Sequence, residues 1–239
     1  MKRIVTLATI CLLLGCKSTV QMKEFNESGF LQNYSQMRSG GENDPHLIYE
    51  NNDIDFNKYT KIILEPIQIW DSVAKDLSPA KKKDLQYVVN YFDAAIRREL
   101  KSDYTFVKKP GPDVMRIRIA LTQAEESKIT GDIITNILLP TLVYSTFKTI
   151  SSGTPLYVGK AAIEAEIADS LSNQRLLAGV DSRAGMKRFK GKFDTWDDIK
   201  SCFDFWSKRF DIRIEYLKTA DKKKLKKRLL ELNLSSRAL

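Results

Sequence analysis

Two stretches in the middle of the chain alternate apolar and polar side chains, which is the pattern of a strand with one buried face. In residues 114–122 the side chains predicted to face inward are Met115, Ile117, Ile119 and Leu121. In residues 161–169 they are Ala161, Ile163, Ala165 and Ile167. Less regular strands are predicted at 62–70, 104–108 and 176–182, and Pro66 indicates that the first of these lies at a sheet edge or carries a bulge.

Two longer stretches repeat apolar residues at steps of three and four, which predicts amphipathic helices. The first begins with Ser78 as N-cap and Pro79 at the first helical position, and it runs to about Lys101. Its apolar stripe is Leu85, Val88, Val89, Phe92, Ile96 and Leu100. The second stripe is Trp196, Ile199, Phe203, Trp206, Phe210, Ile214 and Leu217, and a short helix over residues 221–232 is predicted to follow.

The order of these elements indicates the fold class. It is strand, helix, two strands, an insertion, two strands and a helix, and neighbouring strands joined by short turns favour a mixed or antiparallel sheet. We therefore predict a single α+β domain with its helices packed on one face of the sheet. The domain is placed at residues 29–239, beginning with an ordered but irregular arm over 29–49. A flexible polar tether is predicted over residues 16–28.

The N-terminus has the pattern of a secretion signal. Lys2 and Arg3 precede residues 4–14, which carry no charge and are too few to span a bilayer as a helix. The following Leu13-Leu14-Gly15-Cys16 resembles the lipobox of bacterial lipoproteins. That resemblance implies a signal peptide over residues 1–15, cleavage before Cys16, and lipid on the Cys16 sulfur and the new amino group. Several acyl chains hold a protein firmly on a membrane. Lys17 in the next position implies the outer membrane, facing the periplasm.

Cysteine and histidine usage restricts the available chemistry. Cys11 leaves with the signal peptide and Cys16 carries lipid, so Cys202 alone remains and neither an internal disulfide nor a cysteine metal site is expected. The single histidine, His46, excludes a histidine-rich zinc site. We interpret His46 as a solvated loop residue in preference to a catalytic base. Because the chain also lacks a nucleotide-binding glycine loop and a nucleophile elbow, we predict no cofactor and no enzymatic activity.

Glu164 and Glu166 are the carboxylates with the most suggestive spacing, two residues apart on one face of a predicted strand. Such a pair could act in acid–base hydrolysis if it flanked a substrate in a cleft. We favour a structural reading, in which both face solvent and form cross-strand ion pairs with Arg116 and Arg118.

The net charge of +9 is concentrated near the C-terminus. Residues 218–228 contain seven basic side chains against one acidic residue, Asp221. A local run of this kind argues against a nucleic-acid-binding face. We expect Leu225, Leu229 and Leu232 to line one side of the helix. The lysines on the other side either face water or contact an anionic lipid surface, and the candidates are Lys222, Lys223, Lys226 and Lys227.

Residues 133–147 form an uncharged stretch that is too short for a transmembrane helix. It is consistent with a buried helix, a membrane-dipping hairpin or an oligomer contact. An exposed apolar patch of this size would mark an interface. The candidate interaction residues are Ile133, Ile134, Ile137, Leu138, Leu139, Leu142 and Val143.

Several short pieces, taken in order, resemble a known family. They are Gly29-Phe30-Leu31 with Tyr34-Ser35, residues 56–59 leading into 62–70, Thr122, Ile163-Glu164-Ala165-Glu166 with Asp169-Ser170, and Trp196-Asp197-Asp198 leading to Phe203 and Trp206. Together, over about residues 28–217, they resemble the bacterial lipoproteins grouped as domain-of-unknown-function family 3313. That resemblance implies no catalytic residues. A looser, topological likeness is to auxiliary lipoproteins of envelope lipid-transport systems.

These observations lead to three functional hypotheses. We favour a non-enzymatic envelope protein that is anchored by the lipid on Cys16 and that binds a protein partner or itself. The alternatives are a lipid-binding component of an envelope transport system and a hydrolase acting on an envelope polymer. A cleft with converging polar groups is the structural feature that would help most to choose among them.

Overall fold

The computed structural model describes residues 19–41, 43–70, 78–125, 159–185 and 196–235, together with residues 73 and 75. The strands are β1 (Thr19–Gln21), β2 (Arg38–Ser39), β3 (Leu47–Glu50), β4 (Lys61–Leu64), β5 (Gln68–Ile69), β6 (Thr105–Phe106), β7 (Val114–Glu125), β8 (Lys160–Asp169) and β9 (Arg175–Gly185). The helices are α1 (Pro79–Leu100), α2 (Asp197–Thr219) and α3 (Lys222–Ser235). Short 3-10 turns occupy Tyr34–Gln36 and Phe56–Lys58.

One mixed sheet contains all nine of these strands. Seven follow the order β2-β3-β9-β8-β7-β4-β6, while β1 pairs with β9 and β5 pairs with β7. Its long centre, β7-β8-β9, is antiparallel, whereas β4 and β5 run parallel to β7. The predicted strand at 62–70 is split into β4 and β5 around Pro66, which cannot donate a ladder hydrogen bond. The predicted α+β fold with a mixed sheet is confirmed.

The main core lies between the sheet and α1 and α2. The two predicted helical stripes meet there, and the rings of Phe92 and Phe203 stack with their centroids 4.4 Å apart. All eight side chains predicted to face inward from β7 and β8 belong to this core. Ser78 caps α1 by accepting a hydrogen bond from the Lys81 backbone N–H, with Pro79 in the first turn as predicted. The apolar periodicity of the helices and strands and the N-cap of α1 therefore account for the core on this face of the sheet.

The opposite face of the sheet is covered by the arm. Phe30 and Leu31 pack there against Ala120, Ala178 and Val180, in a second and smaller apolar cluster. The Trp70 indole donates a hydrogen bond to the Ser28 carbonyl oxygen at 3.0 Å, which fastens the start of the arm. The irregular arm predicted over residues 29–49 is ordered, and the strand β3, which sequence reasoning missed, extends it along β9.

The flexible tether predicted over residues 16–28 is wrong for residues 19–21. These residues form β1 and pair with Arg183, Ala184 and Gly185 of β9. Thr19 is buried, and its hydroxyl oxygen accepts a hydrogen bond from the Arg183 Nε–H at 2.9 Å. The polar composition of residues 16–28 suggested a solvated tether, but backbone hydrogen bonds to the long strand β9 hold residues 19–21 in the sheet.

A close approach between β9 and α2 requires the glycine at the end of the strand. A Cβ atom on Gly185 would lie only 2.4 Å from the Cβ of Asp198 in the first turn of α2. The Asp198 carboxylate accepts a hydrogen bond from the Gly159 backbone N–H at 3.0 Å. The N-terminus of α2 is therefore held against the ends of β8 and β9.

Candidate functional site

Two of the predicted site features lie outside the described residues. They are the lipidation site Cys16 and the uncharged stretch 133–147, with its candidate residues from Ile133 to Val143. Their roles stay predictions. None of the helices within the described ranges combines the length and the apolar composition that a membrane span requires.

The basic C-terminal helix has the predicted amphipathic arrangement. Leu229 and Leu232 are buried against the main core, with Leu225 packed beside them. Lys222, Lys223, Lys226 and Lys227 are exposed on the other side. Arg228 joins α3 to α2 by ion pairs with Asp211 at 2.9 Å and with Glu215. Docking of the leucines on the core therefore accounts for the helix, and contact of the lysines with anionic lipid stays a prediction.

The predicted cross-strand ion pair with an arginine is confirmed for Glu166 and wrong for Glu164. Glu166 forms the predicted cross-strand ion pair with Arg118 at 3.2 Å, and it also pairs with Arg175 at 2.7 Å. Glu164, by contrast, is fully buried, because the arm folds over it. The predicted Arg116 partner instead lies beside Glu65 and Asn173.

Three neutral donors of the arm surround the Glu164 carboxylate. The backbone N–H groups of Ser28 and Leu31 donate to it at 2.6 and 3.1 Å, and the Tyr34 hydroxyl donates at 2.5 Å. Burial and the neighbouring Glu164 charge raise the pKa of Tyr34 to about 12. Glu164 is thus one of the points at which the arm is fastened to the sheet.

His46 is not the solvated loop residue that was predicted. Its side chain is largely buried, its Nε2 lies 2.8 Å from the Met22 carbonyl oxygen, and its Nδ1 lies 3.1 Å from Asp181 Oδ1. The segment that contains it runs into β3, which pairs with β9 and brings the ring to the buried carboxylate. The polar residues that flank His46 gave no indication that its ring would be buried beside Asp181.

Asp181 is the centre of a buried charged network between β9 and α2. Its carboxylate accepts hydrogen bonds from the Trp206 indole at 2.7 Å, Arg209 at 2.9 Å and Gln21 at 2.7 Å. Burial alone would raise its pKa, but the charges of Arg209 and Arg183, together with its hydrogen bonds, lower the pKa to about 2. The carboxylate is therefore ionised across the neutral range and already occupied by partners.

An open cleft adjoins this network, between α2 and the centre of the sheet. Its volume is about 60 Å³. Its walls are mostly apolar and include Ile163, Ala165, Ile167, Leu177, Trp206 and Phe210. Arg209 and Arg213 also line it, and both are more than nine-tenths buried. We call this feature the arginine cleft. Its accessible lining is almost entirely apolar, and an apolar concavity is typical of a binding site.

The two arginines are only partly satisfied. Arg213 pairs with Asp44 and, at 3.1 Å, with Glu50 through its terminal nitrogens, and Arg209 pairs with Asp181. The Nε–H groups of Arg209 and Arg213 are buried with no hydrogen-bond partner among the described residues. A buried donor without a partner is costly, so such groups call for an explanation. Burial also lowers the pKa of Arg209 to about 10, although Asp181 opposes this.

In the described part of the chain, neither Cys202 nor the metal-ligating residue types form a further reactive site. Cys202 is a free, buried thiol, and burial raises its pKa far above the usual range, which makes the thiolate inaccessible. The described residues contain no group of three or more histidine, cysteine, aspartate or glutamate side chains arranged to hold a metal ion.

The sequence did carry a signal for the arginine cleft. Arg209 and Arg213 lie three and seven positions after Trp206, so they fall on the same helical face as the predicted core stripe. Charged residues at core spacing are unusual, because burial of an unpaired charge is costly. Which carboxylates neutralise them could not be read from the helix alone, since Asp44, Glu50 and Asp181 come from other elements.

Two solved structures are distantly similar to this chain. The PelC dodecamer from Paraburkholderia phytofirmans matches 66% of this chain and 89% of its own, at 9% identity and a TM-score of 0.36. A neuraminyllactose-binding hemagglutinin homologue from Helicobacter pylori matches 89% of this chain at 11% identity and a TM-score of 0.31. TM-scores this low carry no argument about function.

Comparison with sequences is more informative. The chain is 27% identical over 128 residues to the uncharacterised lipoprotein YdcL of Escherichia coli (strain K12), which covers 53% of this chain and 57% of YdcL. The chain thus spans little more than half the length of the curated relative it matches. The model of a family of proteins of unknown function, DUF3313, matches residues 26–210, which include the arm, the central strands and most of α2. The chain therefore belongs to the DUF3313 family, and its similarity to YdcL agrees with the lipoprotein interpretation of its N-terminus.

Proposed function

We propose that this protein is a non-enzymatic lipoprotein of the cell envelope that binds a partner at the arginine cleft. The observation that carries this proposal is the apolar cleft between α2 and the centre of the sheet, beside the buried ion pair of Arg209 and Asp181. Binding sites are typically concave and lined mostly by apolar side chains. The nearby carboxylate, Asp181, is held by four side chains and is not free to act as a base.

The position of β1 supports a site that lies close to the membrane. Lipid on Cys16 would be only three residues from Thr19, so about 10 Å of extended chain would separate it from the sheet. At the other end of β1, the Gln21 side chain donates to Asp181 at 2.7 Å, so the strand reaches the cleft network. An anchored protein built in this way would keep its cleft near the bilayer surface, and Lys17 favours the outer membrane with the domain in the periplasm.

In-cell photo-crosslinking tests the binding function. A photoreactive amino acid would replace Phe210, a half-buried residue of the cleft, and the matched control site is the exposed Tyr87 on α1. We expect crosslinks to a discrete partner, or to a second copy of this chain, from position 210 and not from position 87. Only monomeric protein at both positions would contradict the proposal, and crosslinked lipid would favour the lipid-binding alternative instead.

Metabolic labelling tests the anchor. We expect Cys16→Ala to abolish incorporation of radiolabelled palmitate and to leave the precursor uncleaved. Fractionation of the unaltered protein should then recover it with outer-membrane markers. Palmitate retained by Cys16→Ala would place the lipid elsewhere, whereas Cys202→Ala is the matched control and should label normally.

The exposed lysines of α3 would add a weaker contact with anionic lipid. Each lysine near an anionic membrane surface contributes about 1 kcal/mol, and salt screens that attraction. In a chain produced from residue 17 onward, which has neither the signal peptide nor the lipid, vesicles containing anionic lipid should bind the domain at low salt and release it at high salt. Replacing Lys222, Lys223, Lys226 and Lys227 by Gln should abolish this binding. Equal binding of both forms would leave solvation as the role of these lysines.

A further inference from the structure

We propose that the first two turns of α1 lie on the surface of the membrane that carries the lipid anchor, with Lys81, Lys82 and Lys83 on the phosphate groups of anionic phospholipids. This inference rests on the anchor at Cys16, which is part of the function proposed above. It adds the surface by which the anchored domain meets the bilayer, and it does not depend on a partner in the arginine cleft.

The pairing of β1 determines at which end of the sheet the anchor lies. β1 runs antiparallel to β9, with Gln21 opposite Arg183 and Thr19 opposite Gly185, the last residue of β9. β1 therefore enters the sheet from the end at which β9 stops, and we call this end the anchor end. Cys16 is three residues before Thr19, so no more than about 10 Å of chain separates the predicted lipid from the anchor end.

The first turn of α2 also lies at the anchor end. The Asp198 carboxylate accepts a hydrogen bond from the Gly159 backbone N–H at 3.0 Å, and a Cβ atom on Gly185 would lie 2.6 Å from the Asp198 Cα. From there α2 runs toward the other end of β9, because Arg209, eleven residues later, reaches Asp181 at 2.9 Å. The N-terminus of α2 thus points out of the molecule on the side of the anchor.

α1 extends farther than α2 in this direction. The Lys200 ammonium of α2 lies over the Tyr87 ring of α1, 5.4 Å from its centre, and the Tyr91 hydroxyl donates to Asp204 at 2.8 Å. Both partners advance by four residues between these two contacts, so the helices run parallel. Counted back from these contacts, α1 has about five more residues than α2, and its start projects about 7 Å farther.

The start of α1 is basic in a position where helix stability favours acidic residues. Lys81, Lys82 and Lys83 are exposed, and the first turn contains no acidic side chain. The helix dipole places partial positive charge at this terminus, so it disfavours lysine there. Helix stability therefore does not explain the three lysines. An anionic surface facing this terminus would attract the lysines and also the unpaired N–H groups of the first turn.

The neighbouring acidic residues leave this positive charge uncompensated. Asp197 lies 3.5 Å from the Lys200 ammonium, and Glu125 lies 3.6 Å from that of Lys160, so each is already paired with a lysine of the anchor end. Within the first two turns of α1, Asp84 is the one acidic residue beside the three lysines. This part of the helix therefore keeps a positive charge that can act on phosphate groups.

The anchor makes a contact of this size effective. Three lysines hold a free domain on a membrane only weakly. An anchor about 10 Å away makes the same contact intramolecular, because the lysines stay close to the surface whether or not they touch it. That distance is similar to the distance over which physiological salt screens charges, about 8 Å. The lipid and the lysines therefore act on the same membrane surface.

Quenching by labelled lipids tests the orientation. The lipidated protein would carry a fluorophore on Ala80→Cys at the start of α1, or on Ser102→Cys, about 30 Å away just past its end. Because Cys202 is buried and Cys16 carries the lipid, the new cysteine alone reacts with the fluorophore. In vesicles that contain anionic phospholipid and a lipid with a spin label on its headgroup, we expect quenching at position 80 and none at position 102. Equal quenching at both positions, or stronger quenching at position 102, overturns the inference.

Charge variants test the chemistry of the contact. Lys81→Gln, Lys82→Gln and Lys83→Gln together should remove the quenching at position 80, although the lipid still holds the protein on the vesicles. The matched control makes the same charge change in α3, with Lys222→Gln, Lys223→Gln and Lys226→Gln. Because α3 begins after the far end of α2, these lysines lie away from the anchor end and quenching at position 80 should remain. Quenching retained in the α1 variant, or lost in the α3 variant, overturns the assignment.

Flotation of the same vesicles separates this inference from the anchor. Vesicle-bound protein without quenching at position 80 overturns this inference and leaves the anchor and the arginine cleft intact. Protein that does not float with the vesicles contradicts the anchor and this inference together.

Discussion

On each face of the sheet a buried carboxylate binds the segment that covers it, and the two carboxylates are stabilised in different ways. On the helix face, Asp181 of β9 is surrounded by Arg209, Arg183 and the ring of His46. On the arm face, Glu164 of β8 is surrounded by two backbone N–H groups and the Tyr34 hydroxyl. Asp181 is stabilised by the charged side chains of β9 and α2, whereas Glu164 is stabilised by the uncharged N–H and O–H groups of the irregular arm.

This difference predicts how far the loss of each carboxylate destabilises the structure. Loss of Asp181 would leave buried cations without a counter-charge between β9 and α2. The stability of the whole core should therefore decrease. Loss of the Glu164 charge would leave only neutral donors, which water can satisfy once the arm lifts. We therefore expect global destabilisation on the helix face and local opening of the arm on the other.

The largest effect is expected for Asp181→Ala. Removing one partner of a buried ion pair typically costs about 3–5 kcal/mol, because the remaining charge stays buried. Denaturant unfolding followed by tryptophan fluorescence should show a lower midpoint. Asp93→Ala, which breaks a surface i,i+4 pair with Arg97, should cost about 0.5 kcal/mol or less. Similar midpoints for the two variants would contradict the role given to Asp181.

Glu164→Gln should have a smaller and more local effect. A buried hydrogen bond to a charged group contributes about 1.5–3 kcal/mol, and the amide cannot accept from all three donors as the carboxylate does. We expect faster amide hydrogen exchange at residues 28–34 and little change in α1. Asp93→Asn, in a surface ion pair of α1, is the control and should leave exchange in the arm unchanged.

Acid should weaken the helix face of the sheet through Asp181. The folded-state pKa of Asp181 lies below the ordinary value of 3.8, at about 2. A lowered pKa means that this contribution is fully present above about pH 4 and is lost as the pH falls through 2. The difference corresponds to about 2 kcal/mol. Unfolding midpoints measured from pH 5 to pH 2 should fall less steeply in Asp181→Asn than in the unaltered chain, and parallel slopes would contradict this assignment.

Tyr34→Phe should have the smallest effect of these substitutions on the contact between the arm and the sheet. It removes one of the three donors to Glu164, and a net cost of about 1 kcal/mol is expected. The effect should appear as increased proteolysis within the arm, with the global unfolding midpoint almost unchanged. Tyr87→Phe, on the exposed surface of α1, should be neutral. A global loss as large as that of Asp181→Ala would remove the distinction between the faces.

The helix face was predictable because its signals are local. The apolar steps of α1 and α2, the Ser78-Pro79 start and the alternation in β7 and β8 each arise within one element. The arm face was not, because its strands β1, β2 and β3 have two to four residues, too few for a periodic pattern. Their pairing depends on the backbone of β9, which supplies partners from far along the chain.

The candidate site shows the same division at the level of single residues. The presence of Arg209 and Arg213 on the core face of a helix could be read from their spacing. Their carboxylate partners could not, and neither could the burial of His46 and Glu164, because each depends on the packing of a distant segment. Sequence reasoning correctly paired Glu166 with Arg118, where adjacent strands oppose the two residues directly.

The sequence by itself determined the helices, the long strands, the fold class and the family of this protein, since periodicity, caps and ordered motifs are properties of neighbouring residues. Only the tertiary structure decided which polar groups are buried and where a cleft opens. Burial and charge pairing are sums over contacts between residues far apart in the chain, and the 60 Å³ arginine cleft exists only because α2 crosses the sheet above Ala165 beside Asp181.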